Sequence, residues 1–135
     1  MKALPYLGFD GRCAEAFRFY ETVFGGRLEL IPSDAAPTTV MGAPPGPERV
    51  LHATLTSGDL CLTGSDASPD WHATPQGMSV SVQASDAHEA ERIFAALARG
   101  GTVELPLMRT CWTERFGMAT DRFDIPWVVT CTPGS

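Results

Sequence analysis

One histidine and one aspartate occur where a base and an acid could meet a ligand. His52 lies in the segment LHATLTS, and Asp66 follows the segment LCLTGS. An imidazole titrates near neutral pH and can act as a general base or a hydrogen-bond donor, and a carboxylate can exchange a proton beside it. We therefore take His52 and Asp66 as candidate catalytic residues. The alternatives are structural roles: a histidine bonded to a neighbouring strand, and an aspartate that caps a turn.

Polar residues near His52 recur with a period of two, which is typical of a strand with one apolar and one polar face. The apolar face must pack on helices, and the polar face suits a wet cavity for a small molecule. In the segment MSVSVQ this pattern turns Met78, Val80 and Val82 toward the core. An ordinary solvated sheet face is the alternative. The candidate substrate-binding residues on the polar faces are Thr54, Thr63, Ser79 and Ser81.

Two aromatic residues, Trp112 and Phe116, complete the candidate substrate-binding set. Aromatic side chains supply much of the contact area in small-molecule sites. The same two residues could instead belong to the hydrophobic core or to a dimer interface. Asp121, which precedes the last turn, could reach a substrate or cap that turn.

Other catalytic and metal-binding patterns are missing from the sequence. The four cysteines, Cys13, Cys61, Cys111 and Cys131, form no C-x-x-C pair of the kind that structural zinc requires. They are expected to be reduced and partly buried. Neither a phosphate-binding glycine loop nor a serine–histidine–aspartate order is present.

The acidic composition excludes some partners. The chain of 135 residues carries 10 Lys and Arg against 16 Asp and Glu, a net charge of −6. Such a surface repels phosphate backbones and anionic lipids, so neither nucleic acid nor membrane is an expected partner. No apolar stretch approaches the roughly 20 residues that span a bilayer, and no signal peptide is evident. We expect a cytoplasmic protein.

An internal repeat organises the chain. Residues 9–30 and 84–105 align at an offset of 75, so that the glycine pairs at 25–26 and 100–101 coincide. Each copy predicts a strand, a helix, a double-glycine stop and a second strand. The first helix should run from about residue 12 to 24, with the stripe Cys13, Ala16, Phe17, Tyr20 and Phe24 buried. The second begins at Asp86, with Glu89 forming a capping box, and buries Ala90, Ile93, Phe94 and Leu97.

The repeat predicts an α+β fold of two tandem βαβββ modules, at about residues 1–66 and 77–132, within one domain spanning 1–135. Their strands should form a curved mixed sheet around a cavity. A Pro-rich segment, residues 32–48, predicts a long loop. The predicted strands are 3–9, 27–32, 50–57, 60–65, 77–84, 102–108, 117–122 and 126–131.

Several segments resemble the PhnB-like branch of the glyoxalase/bleomycin-resistance/dioxygenase (vicinal oxygen chelate) superfamily. They are PYLGFDGRCAEAFRFYETVFGG, LHATL followed by GSDA, ARGGTVELPL, and above all CWTERFGMATDRFDIPWVV. The resemblance covers nearly the whole chain, and residues 112–127 are its most specific part. Asp124 departs from the branch, which usually has glycine there, but aspartate tolerates a positive φ.

The resemblance implies a divalent metal bound by His or Glu from the first and fourth strands of each module. The corresponding positions here hold Pro5 or Tyr6, Thr63, Ser79 and Val128, none of which is a competent ligand. We therefore expect no cofactor, and a divalent metal only if its site is relocated.

Two functions remain open at this point. The first is the binding of a small polar molecule in a cavity that lacks the usual metal ligands. The second is an enzyme, either metal-free or with a relocated divalent metal, of the lyase, isomerase or dioxygenase type. The resemblance also implies a homodimer.

Overall fold

The structure, a computed structural model, describes residues 1–32, 49–67, 73–110 and 113–131. Its contacts divide the chain into two compact units, Met1–Ala73 and Thr74–Ser135. The first unit contains β1 (Tyr6–Phe9), α1 (Cys13–Phe24), β2 (Arg27–Pro32), β3 (Val50–Ser57) and β4 (Leu60–Asp66). The second contains β5 (Val80–Gln83), α2 (Ala87–Ala98), β6 (Thr102–Met108), β7 (Arg115–Thr120) and β8 (Pro126–Cys131).

Each unit holds one four-stranded mixed sheet of the same topology. The strand order is β1-β4-β3-β2 in the first unit and β5-β8-β7-β6 in the second. In both sheets the strand before the helix pairs in parallel with the last strand, and the other pairs are antiparallel. The predicted α+β fold with two tandem βαβββ modules is confirmed. The joining of the modules into one domain and one curved sheet around a cavity stays a prediction.

Helix α1 packs one stripe against its own sheet. Four of the five predicted core residues, Cys13, Ala16, Phe17 and Tyr20, are buried. The fifth was predicted wrongly: Val23 is buried instead of Phe24, which is half-buried at the last position of the helix. Phe17 meets Phe9 of β1 edge to face, with ring centroids 6.2 Å apart. This contact fixes the side of the sheet on which α1 lies.

Helix α2 begins as predicted. The Asp86 carboxylate accepts a hydrogen bond from the Glu89 backbone N–H at 2.7 Å, and the Glu89 carboxylate accepts one from the Ser85 N–H at 2.9 Å. This reciprocal pair satisfies backbone donors that the first turn leaves unbonded. The predicted stripe of Ala90, Ile93, Phe94 and Leu97 is buried.

The predicted strands agree with the observed ones except at a few ends. Strands β1 and β5 are shorter than predicted, and Met78 precedes β5 and is 70% exposed, so its predicted core position is wrong. Strand β7 lies two residues earlier than predicted. It ends at Thr120 because the Asp121 carboxylate accepts hydrogen bonds from the backbone N–H groups of Phe123 and Ile125 and closes a turn.

Two further predictions concern the Pro-rich loop and membrane-spanning segments, and the described residues cover each of them only in part. The long loop predicted at 32–48 lies outside them from residue 33 onward, and Pro32 itself ends β2. Within the described ranges, no helix is long and apolar enough to cross a bilayer.

Candidate functional site

The register of the first sheet brings predicted substrate-binding residues into one row. Thr54 of β3 pairs with Thr63 of β4, and Thr63 pairs with Tyr6 of β1. Leu7 and Phe9 are buried on the helix side, so Tyr6 projects from the opposite side of the sheet. His52 precedes Thr54 by two residues and shares this side. We call the surface formed by Tyr6, His52, Thr54 and Thr63 the polar face.

Tyr6 and His52 form the centre of the polar face. The Tyr6 hydroxyl lies 3.4 Å from His52 Nδ1, and the two ring centroids are 5.8 Å apart at an interplanar angle of 37°. Tyr6 is 48% exposed, and His52 is half-buried. At 3.4 Å the hydrogen bond is long, so a ligand can replace it at small cost.

The hydrogen-bond inventory of this pair limits what it can bind. If Tyr6 donates to Nδ1, then His52 offers Nε2–H as a donor and the Tyr6 oxygen accepts. If Nδ1–H donates to Tyr6 instead, the hydroxyl becomes the donor and Nε2 the acceptor. In either neutral form the pair offers one donor and one acceptor to a ligand. That combination complements a carboxamide or a hydroxyl beside a carbonyl.

The threonines add acceptors to the same surface. The Thr63 hydroxyl donates its hydrogen to the Pro5 carbonyl, so its lone pairs remain able to accept from a ligand. Thr54 is half-buried between Thr63 and Glu29, which pairs with it from β2. The Glu29 carboxylate forms an ion pair with Arg27 on the same strand. Neighbouring charges on β2 therefore neutralise each other.

Asp66 lies on the other side of the sheet from His52. It lies on the same side of β4 as Leu62 and Gly64, which face α1, and it is 2% exposed. Its two oxygens accept hydrogen bonds from the Cys13 N–H at 3.0 Å and the Val50 N–H at 2.9 Å. The structure thus separates the two candidate catalytic residues. A catalytic role for Asp66 stays a prediction, and its contacts favour the structural alternative.

The Asp66 carboxylate also affects the thiol next to it. Burial raises the pKa of the Cys13 thiol well above its ordinary value, and the negative charge of Asp66 raises this pKa further. Cys13 is therefore a protonated, unreactive core residue. Among the described residues Cys13, Cys61 and Cys131 form no disulfide, and Cys111 lies outside those residues.

The second unit has a different surface on the side away from its helix. Ser81 pairs with Val128, and Phe116 pairs with Thr130. Ser79 is exposed and precedes β5, so it is not part of the sheet. Because Val128 and Phe116 lie on this side, it is more apolar than the predicted small, polar surface. Trp112 lies outside the described residues.

Asp121 has a structural environment. Besides the two backbone N–H groups of its turn, its carboxylate accepts a hydrogen bond from the indole N–H of Trp127 at 2.8 Å. Asp124, the departure from the usual glycine, has φ of 69° in this turn. The turn of Asp121 therefore anchors the large buried indole of Trp127 to the sheet.

The residues at the positions implied for a metal do not suit one. Tyr6 and Thr63 are register partners in the first sheet. In the second unit Val128 lies on β8, where it pairs with Ser81, and the predicted position Ser79 precedes β5. None supplies the imidazole or carboxylate that first-row metals and zinc prefer. Within residues 1–32, 49–67, 73–110 and 113–131, no group of three or more His, Cys, Asp or Glu side chains is placed to hold a metal ion.

Sequence reasoning missed Tyr6 as the partner of His52 on the polar face, and it also missed Gly8 and Ser65, which adjoin that face on β1 and β4. The pattern that could have revealed them is alternation in YLGF, where Leu7 and Phe9 are the core residues. The contact of Tyr6 with His52 depends on the pairing of β1 with β4, which joins segments more than 50 residues apart.

Comparison with known proteins places this geometry in a family. The family model described as Glyoxalase/Bleomycin resistance protein/Dioxygenase superfamily matches residues 5–129. Protein YjdN of Escherichia coli K12 is 28% identical over 138 residues, covering 96% of this chain and 94% of YjdN.

Solved structures agree with that assignment. Protein PA1353 of Pseudomonas aeruginosa superposes with a TM-score of 0.86 at 39% identity, covering 98% of each chain. A PhnB protein of Bacillus cereus superposes with a TM-score of 0.73 at 25% identity, covering 98% of this chain and all of the other.

Proposed function

This chain belongs to the glyoxalase/bleomycin resistance protein/dioxygenase superfamily, and from that premise we propose that it binds a small, uncharged polar molecule on the polar face. The supporting observation is the row of partly exposed hydroxyl and imidazole groups on β1, β3 and β4, centred on the Tyr6–His52 contact. Each of these groups can hold a ligand through hydrogen bonds alone.

The chemistry of the polar face supports an uncharged ligand. The pair of Tyr6 and His52 offers one donor and one acceptor, and Thr63 offers acceptor lone pairs. Arg27, the guanidinium on the same side of β2, is paired with Glu29 and is not available to neutralise an anion. A neutral molecule with hydroxyl, carbonyl or amide groups satisfies these groups without leaving a charge unpaired. In the second unit, Ser81 and Phe116 are the described members of the predicted substrate-binding set that lie on the sheet side away from α2.

The test compares two histidines. A set of neutral metabolites and antibiotics is screened by melting shift, and each hit is titrated by calorimetry against the native protein and against His52→Ala and His88→Ala. His88 is exposed on α2 and is the matched control. We expect His52→Ala to weaken binding about tenfold, the value of one to two hydrogen bonds, and His88→Ala to leave it unchanged. Equal affinity in all three proteins would exclude the polar face as the binding site.

An enzyme is the second candidate, and the Tyr6–His52 contact is the observation that favours it. A phenol and an imidazole within hydrogen-bonding distance can pass a proton between them and a bound substrate. Asp66 remains the other predicted catalytic residue. For each confirmed ligand, product formation is followed by NMR with and without added Zn²⁺, Mn²⁺, Ni²⁺ or Fe²⁺. Turnover only after metal addition would support a relocated metal, and turnover that survives Tyr6→Phe would exclude the proton relay.

We also propose a cytoplasmic homodimer. Family members commonly pair, and the reduced thiols Cys13, Cys61 and Cys131 suit a reducing compartment. Light scattering after size exclusion measures the assembly directly, and a single species at about 14.5 kDa would exclude the dimer.

A further inference from the structure

Gly8 occupies an interior position of β1, and the fold does not explain why it is glycine. It is not among the glycines with positive φ. The pairing of β1 with β4 runs from Tyr6 to Phe9 without a bulge. A Cβ added to Gly8 would meet no atom of the described residues within 4 Å. Neither the backbone conformation nor the packing of the described residues therefore requires glycine here.

Gly64, on the neighbouring strand, shows the contrast. A Cβ on Gly64 would lie 2.5 Å from the Leu7 carbonyl oxygen and 2.9 Å from Phe17 Cε2, so a side chain there would collide with the core. Gly64 faces α1, whereas Gly8 faces the other side of the sheet together with Tyr6. Glycine inside a strand costs about 0.5–1 kcal/mol relative to alanine. Such a residue commonly marks a bulge, a bend, or a place where a ligand approaches the backbone closely.

Gly8 adjoins the polar face. Ser65 is its register partner on β4, lies on the same side of the sheet as Thr63, and is 2% exposed. Tyr6, two residues earlier on β1, carries the hydroxyl that contacts His52. Among the described residues, the open position over Gly8 therefore lies on the same side of the sheet as one donor and one acceptor.

We propose that Gly8 is the floor of a ligand subsite in which a planar, uncharged group of the carboxamide type lies flat against the β1 backbone. Without a Cβ, the strand lets a flat group reach van der Waals distance of its peptide planes. The amide N–H and C=O of that group match the acceptor and donor that Tyr6 and His52 provide. The subsite rests on the proposed function, because it is part of the polar face.

The experiment uses two fragments of the same size, propionamide and propionate, titrated into the full ¹⁵N-labelled chain. Propionamide should shift the amide resonances of Gly8, Ser65 and Thr63 with a millimolar dissociation constant, as expected for five non-hydrogen atoms. Propionate, which offers acceptors only and carries a charge, should shift them at least about tenfold more weakly.

The decisive variants are Gly8→Ala and Gly8→Val. We expect Gly8→Val to keep or raise the melting temperature, because valine favours strands, while propionamide binding falls about tenfold or more. Gly8→Ala should also keep or raise the melting temperature, and it should weaken propionamide binding less than Gly8→Val does. A merely structural glycine would not combine higher stability with lost binding.

The outcomes separate the subsite from the polar face. Propionamide shifts that persist in Gly8→Val but disappear in His52→Ala would overturn the subsite and leave the proposed function intact. Equal shifts by propionate and propionamide would overturn the assigned ligand class. No shift of any residue of the polar face, by either fragment or by any molecule of the screen, would overturn both.

Discussion

Replacement of Asp66 by alanine is expected to destabilise the protein more than any other single change of a polar residue in the first unit. Asp66 is 2% exposed, and its two oxygens accept from the buried N–H groups of Cys13 and Val50 at 3.0 and 2.9 Å. Cys13 is the first residue of α1, where no earlier turn can supply an acceptor. The side chain of Arg12, the N-cap residue, makes no capping hydrogen bond. Asp66 therefore acts as the cap of α1.

The expected loss of stability follows from the two hydrogen bonds that Asp66 accepts. A hydrogen bond to a charged group contributes about 1.5–3 kcal/mol, and a buried N–H left without a partner costs about 1–3 kcal/mol. Asp66→Ala affects two such bonds, so we expect a loss of about 3–5 kcal/mol in the free energy of unfolding. Asp66→Asn keeps one acceptor oxygen but turns an NH₂ group toward the second N–H. Its loss should be about half as large.

The matched control is Asp86, which caps α2 through one bond to the Glu89 N–H at a more exposed position. Asp86→Ala should cost about 1 kcal/mol. Urea unfolding followed by far-ultraviolet circular dichroism measures all three variants. The reasoning is refuted if Asp66→Ala costs no more than Asp86→Ala. A fully stable Asp66→Asn variant that has lost turnover would instead restore Asp66 as a catalytic residue.

Three other expectations concern positions with defined packing or backbone geometry. Gly64→Ala should lower the free energy of unfolding by about 2–3 kcal/mol, because the new Cβ collides with the core. Urea unfolding measures this loss, and an unchanged free energy of unfolding would contradict the close packing around Gly64. Asp124→Gly should raise it by about 0.5–1 kcal/mol, because glycine has no steric penalty at φ of 69°, and a lowered melting temperature would contradict this. In a Cys111→Ser background, Cys61 should react with a thiol reagent at least about 10³-fold faster than Cys13, because the buried Cys13 becomes accessible only when the protein unfolds. Similar reaction rates for the two thiols would contradict the burial of Cys13.

Much of the fold could be predicted because each helix and most strands carry their own periodic pattern. Strands β2, β3, β6 and β8 begin and end where the sequence places them, and the capping box of α2 lies within five consecutive residues. The errors occur at strand ends. Met78 continues the alternation of β5 in the sequence, but the strand begins two residues later, so its side chain has no core to enter.

The candidate site was only partly predictable, because its contacts depend on pairings between distant segments. Alternation alone placed His52, Thr54 and Thr63 on a polar side of their strands. It could not show that Tyr6 would meet His52, since 46 residues separate them. Nor could it show that Asp66 faces α1: the parity of β4 turns residue 66 to the side opposite Thr63, and only the contact with the Cys13 N–H identifies its role.

The different origins of the two helix caps have a consequence for the order of folding. Helix α2 carries its cap and its capping box within its own first turn, so it can begin to form from local interactions alone. Helix α1 obtains its cap from a residue 53 positions later, which becomes available only after β4 has been built. Closing that long segment costs chain entropy before the cap can stabilise anything. We therefore expect α2 to be structured in the folding transition state while the first turn of α1 is still open. During synthesis on a ribosome, the first turn of α1 would then remain uncapped until β4 has been synthesised and has paired.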